Sequence, residues 1–238
     1  MYGYGYGYGF YGFDWTYILL IIGMLLSLTA SAKLKSTFAK YRSVRSASGM
    51  TGAEAAARIL RAAGITDVQI RAIPGSLTDH YDPRTKTVSL SQDIYGQTSL
   101  AAVGVAAHEC GHAIQHAVHY APLELRSTIV PVANFGSTLS WPLFLIGLLA
   151  GIQPLITAGI VLFSLAVLFQ LVTLPVELNA SSRALRMLET TGILGRDETG
   201  GARKVLRAAA LTYVAALAAS VLQLLRLLIL AGGRRRDD

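Results

Sequence analysis

The chain has 238 residues, 53% of them apolar and only 15% charged, with a formal charge of +7. A soluble domain carries about 25% charged residues, so this chain is short of charge by nearly half. The apolar content excludes disorder, the single cysteine Cys110 excludes a disulfide scaffold, and the scarcity of charge excludes a basic nucleic-acid binder, leaving a membrane protein.

Residues 1–14 open with a Tyr-Gly repeat, too glycine-rich to order itself, and read as a flexible leader whose aromatics suit a membrane interface. Residues 15–32 contain no charged side chain. A spanning helix needs about 20 mostly apolar residues to cross hydrocarbon some 30 Å thick, so this stretch predicts a first transmembrane helix. No lysine or arginine precedes it, whereas Lys33, Lys35, Lys40, Arg42 and Arg45 follow. That order opposes a cleaved secretory signal and places the following residues in the cytoplasm.

Residues 33–126 are the only long stretch of ordinary soluble composition. Thr51-Gly52-Ala53-Glu54 is a capping-box sequence ahead of the alanine-rich run Ala55 to Ala63, which Gly64 ends, and predicts a short helix. Val68 to Ile73 and Thr85 to Ser91 alternate apolar and polar residues as strands do, with turns at Pro74-Gly75 and Asp82-Pro83. Thr98 to about Tyr120 reads as one long helix. The expectation is a small sheet resting on helices.

Residues 127–176 form a charge-free stretch of 50 residues, enough for two spans, 127–150 and 154–176, with a turn at Gly151-Ile152-Gln153-Pro154. Residues 177–207 are polar again. A fourth span, 208–231, follows with Arg226 snorkelling near its end, then a charged tail, 232–238. The distribution of Lys and Arg puts 33–126 and 177–207 on the cytoplasmic side, two crossings apart. Arg234, Arg235 and Arg236 would then lie outside, against the same rule. The expected class is a mainly α membrane protein with about four transmembrane helices and a small α+β domain.

The long helix carries His108-Glu109-Cys110-Gly111-His112. Spacing i, i+4 stacks both imidazoles on one face, where they can ligate a single ion. Glu109 lies about 100° around the helix, where its carboxylate reaches a water on the metal rather than the metal itself. With 5 histidines in the chain, composition alone predicts about 0.003 such motifs, far below one. Catalytic zinc takes three protein ligands and leaves a fourth position open. His116 is about 12 Å along the helix from His108, too far to share one ion, and His116 and His119 read as surface or interfacial residues. The third ligand must come from elsewhere on the same side. Glu177, first charged residue after the two crossings, is favoured on position, with Glu124 and Glu189 as rivals. Cys110, about 200° from His108, should face the core.

Four segments resemble the YugP-like membrane zinc metallopeptidases of bacteria. They are Ser48 to Glu54, Leu77 to Pro83, Ala106 to Gln115, and Leu174 to Ser181. The resemblance covers nearly the whole chain and implies a zincin-like domain that uses Zn2+, with His108 and His112 as ligands and Glu109 as general base. The chain is also similar to the broader Ste24- and HtpX-like membrane peptidases, in which a glutamate on a later helix completes the zinc site and an acidic residue four positions on supports it. Glu177 matches the first, and Ser181 stands in place of the second. That departure leaves another residue, such as Asp79, to support the site. In such enzymes a sheet edge pairs with extended substrate; here Leu77 to Tyr81 and Val88 to Ser91 are the candidates. His80, Tyr81 and Arg183 are candidates to steady an oxyanion.

These readings lead to an expected zinc metalloendopeptidase in the plasma membrane, multi-pass, with a cytoplasmic active site acting on membrane or misfolded proteins. Its expected partners are a protein or peptide substrate and the lipid bilayer, with no nucleic acid. The competing expectation is a zinc-stabilised membrane scaffold that binds partners without turnover, favoured by Ser181 and by the small residues Ala101, Ala102, Gly104, Ala106 and Ala107. Transport fits poorly, because the apolar stretches hold no acidic or basic residue apart from Arg226.

Overall fold

A backbone in lipid can satisfy its amides and carbonyls only within a helix or a closed barrel, so long charge-free runs fold as helices. The structure, a computed structural model, describes residues 14–233. The leader as far as residue 13 and the tail beyond residue 233 lie outside the described residues. In chain order the elements are α1 (Tyr17–Arg42), α2 (Gly52–Ala62), β1 (Gln69–Ile73), β2 (His80–Asp82) and β3 (Thr87–Ser91). They are followed by α3 (Gln92–Tyr95), α4 (Leu100–Ala117), α5 (Ala121–Ala150), α6 (Gln153–Thr190) and α7 (Arg196–Gly233).

The protein is mainly helical, and α1, α5, α6 and α7 are each long and apolar enough to cross a membrane. Their outer surfaces are apolar too: Leu149 is 79% exposed and Phe135 65%, which suits lipid rather than water. All four extend beyond the charge-free runs, α5 by the turns that carry Glu124 and Arg126. α1 continues ten residues past Ala32, because Phe38 and Tyr41 pack into the polar domain's core while the lysines and Arg42 stay outside. α6 runs unbroken through Glu177 to Thr190, about 57 Å in all, roughly twice the hydrocarbon thickness. α7 starts at Arg196, well before its apolar run. A charge ends a hydrophobic segment but need not end a helix. Arg226 does not snorkel: it is 8% exposed, and its guanidinium stacks 4.3 Å from the Tyr17 ring centre.

Between α5 and α6 the turn is Gly151-Ile152, where Gly151 adopts φ 73°, a left-handed conformation that suits glycine as a helix C-cap. The two helices pack along each other as a hairpin. α6 also packs on α7, and α7 on α1.

The polar domain packs against these helices through α4. The Thr51 hydroxyl accepts from the Glu54 amide, and the Glu54 carboxylate accepts from the Thr51 amide, so the capping box starts α2 as its sequence predicts. The sheet order is β1-β3-β2, with β1 parallel and β2 antiparallel to β3. β3 is buried along its whole length, whereas β2, three residues too short for a legible alternation, lies at the edge. Val88, Leu90, Ile59 and Ile94 meet α4's alanines in one core. Ser99 caps α4 through the Ala102 amide.

α4 is slim because its sequence is alanine and glycine. A Cβ on Gly104 would lie 3.3 Å from the Ala202 methyl of α7. One on Gly111 would lie 2.5 Å from the Ala180 carbonyl oxygen of α6, an impossible contact. The small residues bring both long helices against α4.

Candidate metal centre

α4 places His108 and His112 one turn apart, with ring centres 4.8 Å apart and the rings at 85°. The α5–α6 hairpin returns the chain beside them, so Glu177 faces the paired imidazoles. Its Oε2 lies 3.2 Å from His108 Nε2 and 3.6 Å from His112 Nε2. One donor atom from each of the three lies within 4.8 Å of the others. Glu177 is 3% exposed. Two imidazoles and a carboxylate, converging from two helices and nearly dry, are the donor set that suits zinc, and the residues fit that ion.

Glu177's other oxygen is also engaged. Oε1 accepts from Arg126 Nη1 at 3.2 Å. Arg126 lies in the second turn of α5, which follows α4 after only Val118, His119 and Tyr120. Tyr213 of α7 lines the same cavity.

The outward nitrogens of the histidines have neutral partners. Gln115, fully buried, donates from Nε2 to the Val176 carbonyl at 2.8 Å and to Asn179 Oδ1 at 3.0 Å. Arg183 Nε also donates to Asn179 Oδ1, at 2.7 Å. Two acceptors on Nε2 fix the orientation of the amide, so Gln115 Oε1 faces His112 Nδ1 at 3.0 Å and accepts its proton. The Nε2 lone pair of His112 is thereby left pointing at the centre. His108 Nδ1 lies 3.2 Å from Ser181 Oγ. The serine in the place of an acid supports the site as a neutral acceptor.

Glu109 is also buried, at 8% exposed, and lines the cavity with His108 and His112. Burial pushes its carboxyl above the usual carboxylate range, and Glu177 and Asp79 add to the rise against the opposing pull of the two histidines. The cavity holds about 560 Å³. One wall is β2 and the turn after it, as far as Arg84; the other is Leu123, Arg126 and Val130 of α5.

The remaining sequence candidates fall outside the cluster or at its margin. Glu124 is exposed and pairs with His119 at 3.0 Å; Glu189 is exposed and pairs with Arg203 at 3.5 Å. Neither reaches the histidines. Asp79 does not support a histidine: its carboxylate accepts from the Ser91 amide at 2.7 Å and the Ser91 hydroxyl at 3.2 Å. Burial raises its pKa against those bonds. The Tyr81 hydroxyl bonds His116 Nδ1 at 2.9 Å, and burial, with the nearby Asp67 and Asp82 charges, pushes its pKa up to about 12. His80 reaches the cavity, though its Nδ1 bonds the Thr78 carbonyl at 2.9 Å. Arg183 lies over the Tyr120 ring, away from the cavity lining. Cys110 is fully buried in the core, and burial pushes its thiol pKa up, so it is no nucleophile.

Sequence reasoning missed Gln115, Arg126 and Tyr213. Gln115 was accessible to it, because a residue three positions after His112 shares its helix face. Arg126 and Tyr213 carry no such signal, since only the packing of α5 and α7 brings them in.

Residues 16–232 match the family described as "Putative neutral zinc metallopeptidase". The "Putative membrane protease YugP" of Bacillus subtilis (strain 168) is 50% identical over 220 residues, covering 92% of this chain and 98% of that protein. No solved structure matches the chain.

Proposed function

The chain belongs to this family of neutral zinc metallopeptidases, and from that membership we propose a membrane-embedded zinc endopeptidase with Glu109 as its general base. The observation that carries the proposal is the convergence of His108, His112 and Glu177 from α4 and α6, with Glu109 buried beside them. In this reading α4 and the three-stranded sheet are the core of a zincin-like catalytic domain, and those three residues hold the ion. Zinc, when bound, supplies Lewis acidity that lowers the pKa of water and polarises a carbonyl.

The chain's own residues supply the rest. Gln115 and Ser181 keep the imidazole lone pairs turned inward, and Glu109 accepts a proton from the attacking water. Buried in the cavity wall beside the histidines, it is placed to hold that proton and pass it to the departing amine nitrogen. β2, at the edge of the sheet and on the cavity wall, is positioned to pair with an extended peptide backbone. The substrates in this reading are membrane or misfolded proteins, because the cavity lies between the polar domain and the first turns of a membrane helix. The basic residues after α1 favour the cytoplasmic side of the plasma membrane.

The test compares purified wild type with Glu109→Gln for zinc content and for cleavage of an unfolded protein. Zinc content should be equal, with cleavage reduced by about 10²-fold or more. Equal cleavage would remove Glu109 from the mechanism. Bound zinc with no cleavage by the wild type would favour the scaffold reading.

A further inference from the structure

Glu177 presents its two oxygens to different partners. Oε2 faces both imidazoles, while Oε1 is held by Arg126, and the Tyr213 hydroxyl also hydrogen-bonds this carboxylate. A carboxylate divided in this way cannot turn both oxygens to one cation. We propose that Arg126 is a positioning residue that reserves Oε1, so that Glu177 offers a metal a single oxygen. This rests on the reading of the cluster as a zinc site.

The setting suits that role. Arginine is charged at every accessible pH and presents its donors in a rigid fork, so it holds one carboxylate oxygen without competing for the metal. Arg126 is joined to the histidine helix by a three-residue connection. In that connection the Tyr120 amide donates to the Gln115 carbonyl at 3.0 Å, and the Gln115 side chain holds His112. The backbone that carries Arg126 is therefore held close to the helix that carries both imidazoles. Glu177's carboxylate is almost fully buried, at 4% side-chain exposure, whereas Arg126's side chain is 29% exposed. Few solvent molecules can take the guanidinium's place on Oε1.

Two consequences follow for the centre. Two imidazoles, one oxygen and a water make four donors, whereas a carboxylate bound through both oxygens would raise the number to five beside that water. The positive charge also draws electron density from Glu177, which makes the carboxylate a weaker donor and leaves the cation more acidic.

The test loads the metal-free, full-length protein with cobalt and reads its visible spectrum. Wild type should show the intense, long-wavelength bands of a four-coordinate ion. Arg126→Met keeps an apolar stem of similar volume without the charge, and should show weaker bands at shorter wavelength as Glu177 binds through both oxygens. The same variant should hold zinc more tightly, by on the order of tenfold, because a positive charge beside the cation is removed, whereas loss of a merely structural ion pair would loosen it. In a Glu177→Gln background, Arg126→Met should leave the cobalt spectrum unchanged, since an amide does not chelate.

Unchanged bands in Arg126→Met, weaker zinc retention, or a spectral change that persists in the Glu177→Gln background would each overturn the proposal. X-ray absorption of zinc-loaded wild type tests it without any variant: one carboxylate oxygen is expected, and two would overturn it. Failure of wild type to bind either metal would instead sink the zinc reading on which the proposal depends.

Discussion

Gln115 carries no charge, but both ends of its side chain are used, and solvent reaches neither. It ties the second histidine of α4 to the stretch of α6 on either side of Glu177, so one amide sets both a tautomer and a distance between helices. Replacing it with leucine keeps the volume and removes both functions. Gln115→Leu should lower zinc affinity by about 10- to 100-fold, measured by competition with a chelator. Gln115→Glu, which retains the acceptor for His112 but loses the donor to Val176 and Asn179, should fall between the two. At this scale the legible residues were those whose relationships lie within one helix. His108, Glu109 and His112 follow from 3.6-residue geometry alone. Gln115 obeys the same geometry, but an uncharged amide on a helix fits a surface role as readily as a role beside a histidine. Arg126, Tyr213 and the bond from Ser181 to His108 depend on helix packing, which no local pattern encodes.

α4 works as an element because it is narrow. Gly111, between the two histidines, lets α6 approach until the Ala180 carbonyl occupies the space a methyl group would need. Gly111→Ala should therefore push α6 outward, at a cost of about 1–3 kcal/mol, and carry Glu177 away from the imidazoles. Thermal unfolding and zinc retention should fall together; a variant that lost stability but kept full zinc affinity would show that α6 is positioned by something other than this contact. The sequence made α2, β3 and α4 legible, through a capping box, an alternating run and a breaker-poor alanine stretch. It hid β2, which is three residues long and leads into a proline turn. It also hid the true lengths of α1, α5, α6 and α7. Apolar runs record where lipid is, and these helices continue into the polar domain, where Phe38 and Leu188 are buried.

Across the whole molecule, the cluster requires α5 and α6 to leave and re-enter the same side. The 50-residue charge-free stretch with one glycine turn carried that information in the sequence, because two spans are the only even number that fits it. A membrane-impermeant thiol reagent can check the arrangement in a Cys110→Ser background. Glu124→Cys and Thr190→Cys, both exposed, should label from one face of the membrane, and Ile152→Cys, exposed in the turn, from the other. Labelling of residues 124 and 190 from opposite faces would contradict the fold as well as the site.

The hairpin also dictates an order of events. Glu177 is 69 residues beyond His108, so at typical synthesis rates it leaves the ribosome about 3–14 s later. Through that interval the nascent polypeptide has its imidazoles and Glu109 but no third donor, and it acquires one only after both arms of the hairpin have been threaded through lipid. In the proposed zinc-site reading, insertion would therefore be the step that completes the centre, and a molecule stalled before the second crossing would lack its third donor.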